Sequence, residues 1–349
     1  MRIALIRREY ITHIDGVNRF IALLAEGFAK LGHEPFIISW CYRGVEGSEL
    51  EKWFMEMHGL DTVIPIYTLR QMPCKGDPWL KIAFDWWLRG SRLLHEEGAD
   101  AAIVNGVIPL RFRPKIAVNH GFTLKTNKLY LMFVKELYRR YDGVACVSAK
   151  LRDEVKSILE VDCRVIPLPL KLELFKPVKL SERENIIVHI GTRPVKNPQI
   201  SIETIKILRK RGYSYKLVVV GPPTTLPKVE YVKYKYPMSR REILKLLCRA
   251  KTLMLPSSYE ALSYVVLEAM ACGTPVVASN TVPEEVVING FNGIRVNSFN
   301  PEDYANAVEK LLSDEDLWLR LSRNSLEFVK RFNYVEIAKK CINIIHELL

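Results

Sequence analysis

SSYEALSYVVLEAMACGTPVVAS, residues Ser257–Ser279, places two carboxylates, a helix and a strand in one short run. Seven residues separate Glu260 from Glu268. Ser263 is a natural N-cap for a helix whose apolar residues are Val265, Val266, Leu267, Ala269 and Met270. Gly273 and Pro275 end that helix, and PVVAS then reads as a short buried strand. Glu260 falls in the loop before the helix. Glu268 falls one and a half turns into it, on the side expected to face away from the apolar stripe. A helix N-terminus between two carboxylates suits a polyol attached to a phosphate, with amides for the anion and carboxylates for the hydroxyls.

Working outward, the chain of 349 residues is long enough for two domains, and 48% hydrophobic with 26% charged residues is a globular composition. No apolar run reaches the roughly 18 residues needed to cross a bilayer. MRIALIRREY is too quickly interrupted by charge for a leader and reads as a first strand. The seven cysteines are scattered and odd in number, with no CxxC pair, so neither a disulfide framework nor a zinc site is expected. A reduced, cytoplasmic setting follows as the default. The net charge of +12 is spread over both halves. It favours anionic partners in general, nucleotide phosphates or an anionic membrane surface, and no nucleic acid in particular.

In chain order, strand 2–6, the loop ending in Asp15-Gly16, a helix from Val17 to Leu31 and strand 35–39 make a βαβ opening. Cys74 to Pro78 reads as a turn, and Leu80 to His95 as a helix carrying Trp86 and Trp87. Strands follow at 101–105 and 115–121, with His120 at the carboxyl end of the second, where open sheets bind ligands. Leu124 to Tyr141 is a basic, aromatic, amphipathic helix. It fits either a peripheral membrane contact or a packing helix with a solvated face. The proline-bearing stretch 164–185 reads as an interdomain connection. A second βαβ unit runs from strand 186–191 through TRPVKNP to a helix from Gln199. Arg193 and Lys196 in that loop can neutralise a departing diphosphate.

The run Leu267–Ser279 resembles the donor-site signature of the retaining glycosyltransferases of family four (glycosyl transferases group 1), which have the GT-B fold. Gly16, His120, the VSAKLRDEV segment and Gly191 with Arg193 and Lys196 extend the resemblance along the chain. Three features depart from the family pattern: Asp15 replaces a glycine, Ala261-Leu262-Ser263 replaces a Gly/Phe-rich stretch, and Pro167-Leu168-Pro169-Leu170 replaces an Asn-Gly.

The resemblance implies an α/β protein with two Rossmann-like doubly wound domains facing across a cleft. These would be an acceptor-side domain at 1–170, a nucleotide-sugar domain at 171–330 and a helix at 331–349 crossing back. It implies transfer of a hexose-type sugar from a nucleotide-sugar, UDP favoured, to a glycan, lipid-linked or small-molecule acceptor. Gly16, Gly191 and the amides of Ser263, Tyr264 and Val265 would meet the diphosphate, and Glu268 the ribose. Glu260 and His120 would contact the sugar, and Arg193 and Lys196 the leaving charge. No metal or other cofactor is expected, because no Asp-x-Asp motif stands in a matching context. The cytoplasm, with or without contact to the inner face of the membrane, is the expected location. The departures also fit a second reading, a catalytically silent GT-B subunit that binds a nucleotide or a partner enzyme.

Overall fold

The computed structural model describes residues 1–12, 15–42, 48–70, 78–121 and 128–349. The chain divides into two compact units, Met1–Lys171 with Phe332–Leu349, and Leu172–Arg331. The first runs β1 (Arg2–Tyr10), α1 (Gly16–Lys30), β2 (Glu34–Cys41), α2 (Ser48–His58), β3 (Ile66–Thr68), α3 (Trp79–Asp85), a π-helical turn (Trp86–Gly90), α4 (Ser91–Glu96), β4 (Ala101–Asn105), β5 (Lys115–Asn119), α5 (Lys128–Arg139), β6 (Gly143–Cys146), α6 (Ala149–Leu159) and β7 (Arg164–Val165). The second runs β8 (Ile186–Ile190), α7 (Pro198–Lys210), β9 (Lys216–Val220), β10 (Val232–Lys235), α8 (Arg240–Arg249), β11 (Thr252–Leu255), α9 (Tyr264–Ala271), β12 (Val276–Ser279), β13 (Gly293–Val296), α10 (Pro301–Ser313) and α11 (Glu315–Phe328). Helix α12 (Tyr334–His346) closes the chain and belongs to the first unit.

Both sheets are wholly parallel, with orders β3-β2-β1-β4-β5-β6-β7 and β10-β9-β8-β11-β12-β13. Each sheet grows outward in two directions from its first strand, which is the doubly wound arrangement, and ligands bind beyond the carboxyl ends of the strands where the direction reverses. Those reversal points lie between β1 and β4 and between β8 and β11. Strands β4 and β5 are buried along their whole length, as expected for strands covered by helices on both faces. In the second unit Ile187, Leu217, Val219, Met254 and Val277 from the strands meet Ile205, Leu208, Tyr304 and Trp318 from the helices.

Helix α12 packs on α1, where Gly27 admits Ala338 and the Tyr334 carbonyl; a Cβ there would lie 2.7 Å and 2.8 Å from them. The chain leaves the first unit beside a buried cation. Lys171 donates to Glu26 at 2.9 Å, to Asp61 at 2.7 Å and to the Gly59 carbonyl at 2.9 Å.

Several sequence expectations are corrected. The helix expected over Leu80–His95 is interrupted by the π turn, and Trp86 is core while Trp87 is half-buried. Residues 74–77 of the expected turn and 124–127 of the expected basic helix lie outside the described residues. Disulfides join Cys146 to Cys163 and Cys248 to Cys272, and Cys41 is also disulfide-bonded, against the expectation of free thiols. The partners are 17 and 24 residues apart, a spacing that carries no motif. Pairing of β6 with β7 brings the first two together, and packing of α8 on α9 the second.

Candidate active site

In the second unit the loop after β8 and the loop after β11 meet at the reversal point of the sheet. Gly191 sits at φ +110° on the Lys196 stem, and a Cβ there would lie 2.8 Å from Lys196 Cγ. Only glycine combines that backbone angle with that approach. A 3-10 turn over Pro194–Lys196 then aims the lysine back across the loop. The Ser258 amide donates to the Val195 carbonyl at 2.8 Å, and Asn197 Nδ2 to the Pro256 carbonyl at 2.8 Å, fastening the two loops. The result is an ion pair, Lys196 Nζ to Glu260 Oε1 at 2.5 Å, with both side chains largely buried. Arg193, two positions from the turn's centre, is exposed and makes no ion pair among the described residues.

Behind this loop His189 is buried. Its Nε2 lies 2.8 Å from the Gly191 carbonyl and its Nδ1 2.8 Å from Ser201 Oγ. A carbonyl only accepts, so Nε2 carries the proton and Nδ1 accepts from the hydroxyl. Burial pushes the His189 pKa down to about 4, and the nearby Lys196 charge adds to the shift.

Helix α9 starts at Ser263, whose side chain makes no capping bond, which corrects the expected cap. As in every helix, the first N–H groups have no acceptor within the helix. Its far end is closed firmly. Thr274 N bonds the Ala269 carbonyl at 2.8 Å and Gly273 N the Met270 carbonyl at 2.9 Å, the paired bonds of a Schellman turn. The buried Arg183 guanidinium donates to the Cys272 carbonyl at 2.8 Å and the Gly273 carbonyl at 3.2 Å. Desolvation lowers its pKa to about 10, and it stays charged at the negative end of the helix.

Glu268 is the main surprise on this helix. It is 1% exposed, where the pattern placed it on the outer flank. Every residue of α9 except Val265 is buried, so the helix has no wet face. Glu268 is paired instead with Arg240, at the first position of α8. Arg240 was not singled out in the sequence, where it stands among many other basic residues. The available signal was Ser239 and Glu242, which form a capping box and fix the start of α8 at Arg240.

The first unit builds its own cluster at the reversal point between β1 and β4. Asp15 is the N-cap of α1: its Oδ1 accepts from Asn18 N at 2.8 Å, and its Oδ2 pairs with Arg7 at 2.8 Å. The residue that departed from the family glycine thus opens the helix, leaving Gly16 exposed at its first position. His120 follows β5, half-buried, with its ring edge-on to Phe20 of α1 at 4.9 Å. Asn105 Nδ2 donates to the Ile6 carbonyl at 3.1 Å, so its Oδ1, 2.8 Å away, accepts from His120 Nε2. Desolvation, together with the Arg7 charge, lowers the His120 pKa to about 3, and Asp15 opposes the shift. A neutral imidazole with Nδ1 unprotonated results. Asp15, Arg7 and Asn105 were missed as site residues; an Asp just before a helical pattern was the legible signal.

No cluster of His, Cys, Asp and Glu suited to a metal ion occurs among the described residues. Two family models match the chain: "Glycosyltransferase Family 4" over residues 14–174 and "Glycosyl transferases group 1" over residues 171–328. The chain belongs to the family-four, group 1 glycosyltransferases, with the GT-B fold. It is 25% identical to an uncharacterized glycosyltransferase of Methanocaldococcus jannaschii over 72% of this chain and 76% of that one. It is 24% identical to the GDP-mannose-dependent alpha-(1-6)-phosphatidylinositol dimannoside mannosyltransferase of Mycobacterium tuberculosis, over 90% and 88%. Among solved structures, the sucrose-phosphate synthase of Thermosynechococcus elongatus superposes with a TM-score of 0.78 at 18% identity, covering 100% and 99%. A point mutant of S. aureus TarM, in complex with Fondaparinux, alpha-GlcNAc-glycerol and UDP, gives 0.79 at 14% identity, covering 99% of each chain.

Proposed function

We propose that this protein is a retaining, metal-independent glycosyltransferase that moves a hexose-type sugar from a nucleotide-sugar to a glycan, lipid-linked or small-molecule acceptor. The observation that carries this reading is the Lys196–Glu260 pair, held where β8 and β11 end, together with the N-terminus of α9. A lysine has three donors and a carboxylate two oxygens, so the pair can hold each other and a ligand at once. Lys196 takes up the charge that develops on the departing diphosphate, with exposed Arg193 and Gly191 beside it. The amides of Ser263, Tyr264 and Val265 and the positive end of α9 add to that stabilisation. Glu260 accepts from a hydroxyl of the donor sugar, and Glu268, steadied by Arg240, accepts from the ribose hydroxyls. In the first unit, neutral His120 offers its unprotonated Nδ1 to a hydroxyl, and Gly16 permits close approach of a phosphate to the α1 N-terminus.

The relatives name both nucleotides, GDP-mannose in the M. tuberculosis enzyme and UDP in the TarM complex, and the former also names a lipid acceptor. A thermal-shift screen across UDP-, GDP- and ADP-sugars tests the reading. Binding to the folded state raises the melting temperature, so one nucleotide series should stabilise the protein and support transfer. No stabilisation by any donor would overturn the proposal.

A further inference from the structure

We propose that the face built from α3, the π turn and the exposed part of α5 docks the protein on an anionic bilayer surface. Leu80, Phe84 and Leu88 recur every four residues along α3 and the π turn, and are 76%, 58% and 51% exposed. The opposite side of the same rod is anchored. Ala83, Trp86 and Leu94 are buried, and Trp86 Nε1 donates to the Arg8 carbonyl at 3.1 Å. The exposed stripe therefore belongs to a fixed element.

Trp79 at the start of α3 sits edge-to-face on Phe133 of α5, with ring centres 4.9 Å apart. That contact joins α3 to α5, which itself exposes Met132 and Phe133, 64% and 43%. Single exposed apolar residues are ordinary, but five large ones on two helices in contact mark an interaction surface.

The charges around it select the partner. Arg92 continues the stripe one turn beyond Leu88, and Lys81 and Arg89 flank it; all three are exposed. Among the described residues each acidic neighbour is set against a cation, so no acidic side chain there stands uncompensated, and the charges of Arg89 and Arg92 are in turn partly offset. Asp85 is buried between Arg70 and Arg89, at 3.9 Å and 3.8 Å. Glu96 is paired with Arg92, and Glu136 with Arg140. Arg111 lies over the half-buried Trp87 ring at 3.8 Å, an aromatic and a cation placed together as at a membrane boundary. Apolar side chains rimmed by cations fit lipid chains beneath anionic headgroups. No described helix is long and apolar enough to cross a membrane, so this contact lies on the surface of the bilayer. The face belongs wholly to the first unit.

Co-sedimentation with vesicles tests the proposal. The protein should pellet with phosphatidylcholine vesicles containing phosphatidylglycerol, and at least about tenfold less with phosphatidylcholine alone. The triple variant Leu80→Ser, Phe84→Ser, Leu88→Ser should lose roughly tenfold or more in partitioning at an unchanged melting temperature. Should the triple variant melt early, Phe84→Ser alone, at a 58% exposed position, replaces it and should shift binding in the same direction. Wild-type protein that stays in the supernatant, or variants that bind as wild type, would overturn the proposal. So would a concentration-dependent dimer in sedimentation velocity that the triple variant abolishes, if vesicle binding is absent. Donor binding is read separately by thermal shift, so failure of the enzymatic reading leaves the vesicle result intact.

Discussion

Lys196 reaches Glu260 because Gly191 has no Cβ to obstruct its stem. Lys196→Ala removes the cation best placed to meet a leaving diphosphate. It should lower turnover by roughly 10²–10³-fold with a smaller change in donor KM; steady-state kinetics near wild type would remove Lys196 from the reaction. Glu268→Ala should act on binding, weakening nucleotide affinity by about 1.5–3 kcal/mol, measurable by isothermal titration. His189 supplies a pH signature. Its folded pKa of about 4 lies below the ordinary value of 6.5, so between those values the unfolded chain holds the extra proton. Stability should therefore fall as pH drops from 6.5 toward 4, by up to about 1.4 kcal/mol per pH unit for this group, and level off below. Denaturant titrations across that range should show a shallower acid slope in His189→Gln, and an unchanged slope would deny the histidine this role.

At the scale of elements, α9 shows what a pattern conceals. Its start, its Gly273 stop and the following strand are legible because caps, glycine stops and apolar runs are local signals. The burial of Glu268 is not, because it depends on Arg240 arriving from α8. A carboxylate within a helical pattern reads as a wet position unless its partner is known, and that partner stands 28 residues earlier. Helix α1 carries the opposite lesson. Asp15 departs from the family glycine, yet it is an ordinary N-cap, and its second oxygen holds Arg7. The contact of α1 with α12 rests on Gly27. Gly27→Val would drive a side chain into Ala338 and the Tyr334 carbonyl, and should cost about 1–3 kcal/mol in a denaturant midpoint.

For the whole molecule, the disulfides are the feature with the widest consequence. Cross-links that close loops of 17 and 24 residues restrict the unfolded chain, each by about 3 kcal/mol in the chain-entropy account. A reductant should lower the melting temperature, and thiol counts on the unfolded chain with and without prior reduction should show the difference. A melting temperature indifferent to reductant would mean that these bonds contribute nothing to stability.

Sequence alone determined the family, the α/β class and most of the order of the elements, though not α2 or β3. Buried strands, helix stops and the run Leu267–Ser279 are written in residues close together, and local chemistry fixes them. Tertiary structure decided the pairings: Lys196 with Glu260, Glu268 with Arg240, His120 with Asn105 and Phe20, and cysteine with cysteine. The exposed face of α3 was also hidden, because its pattern is that of any amphipathic helix. Which apolar residues a fold covers depends on what packs against them, and that is set by chain segments far apart in the sequence.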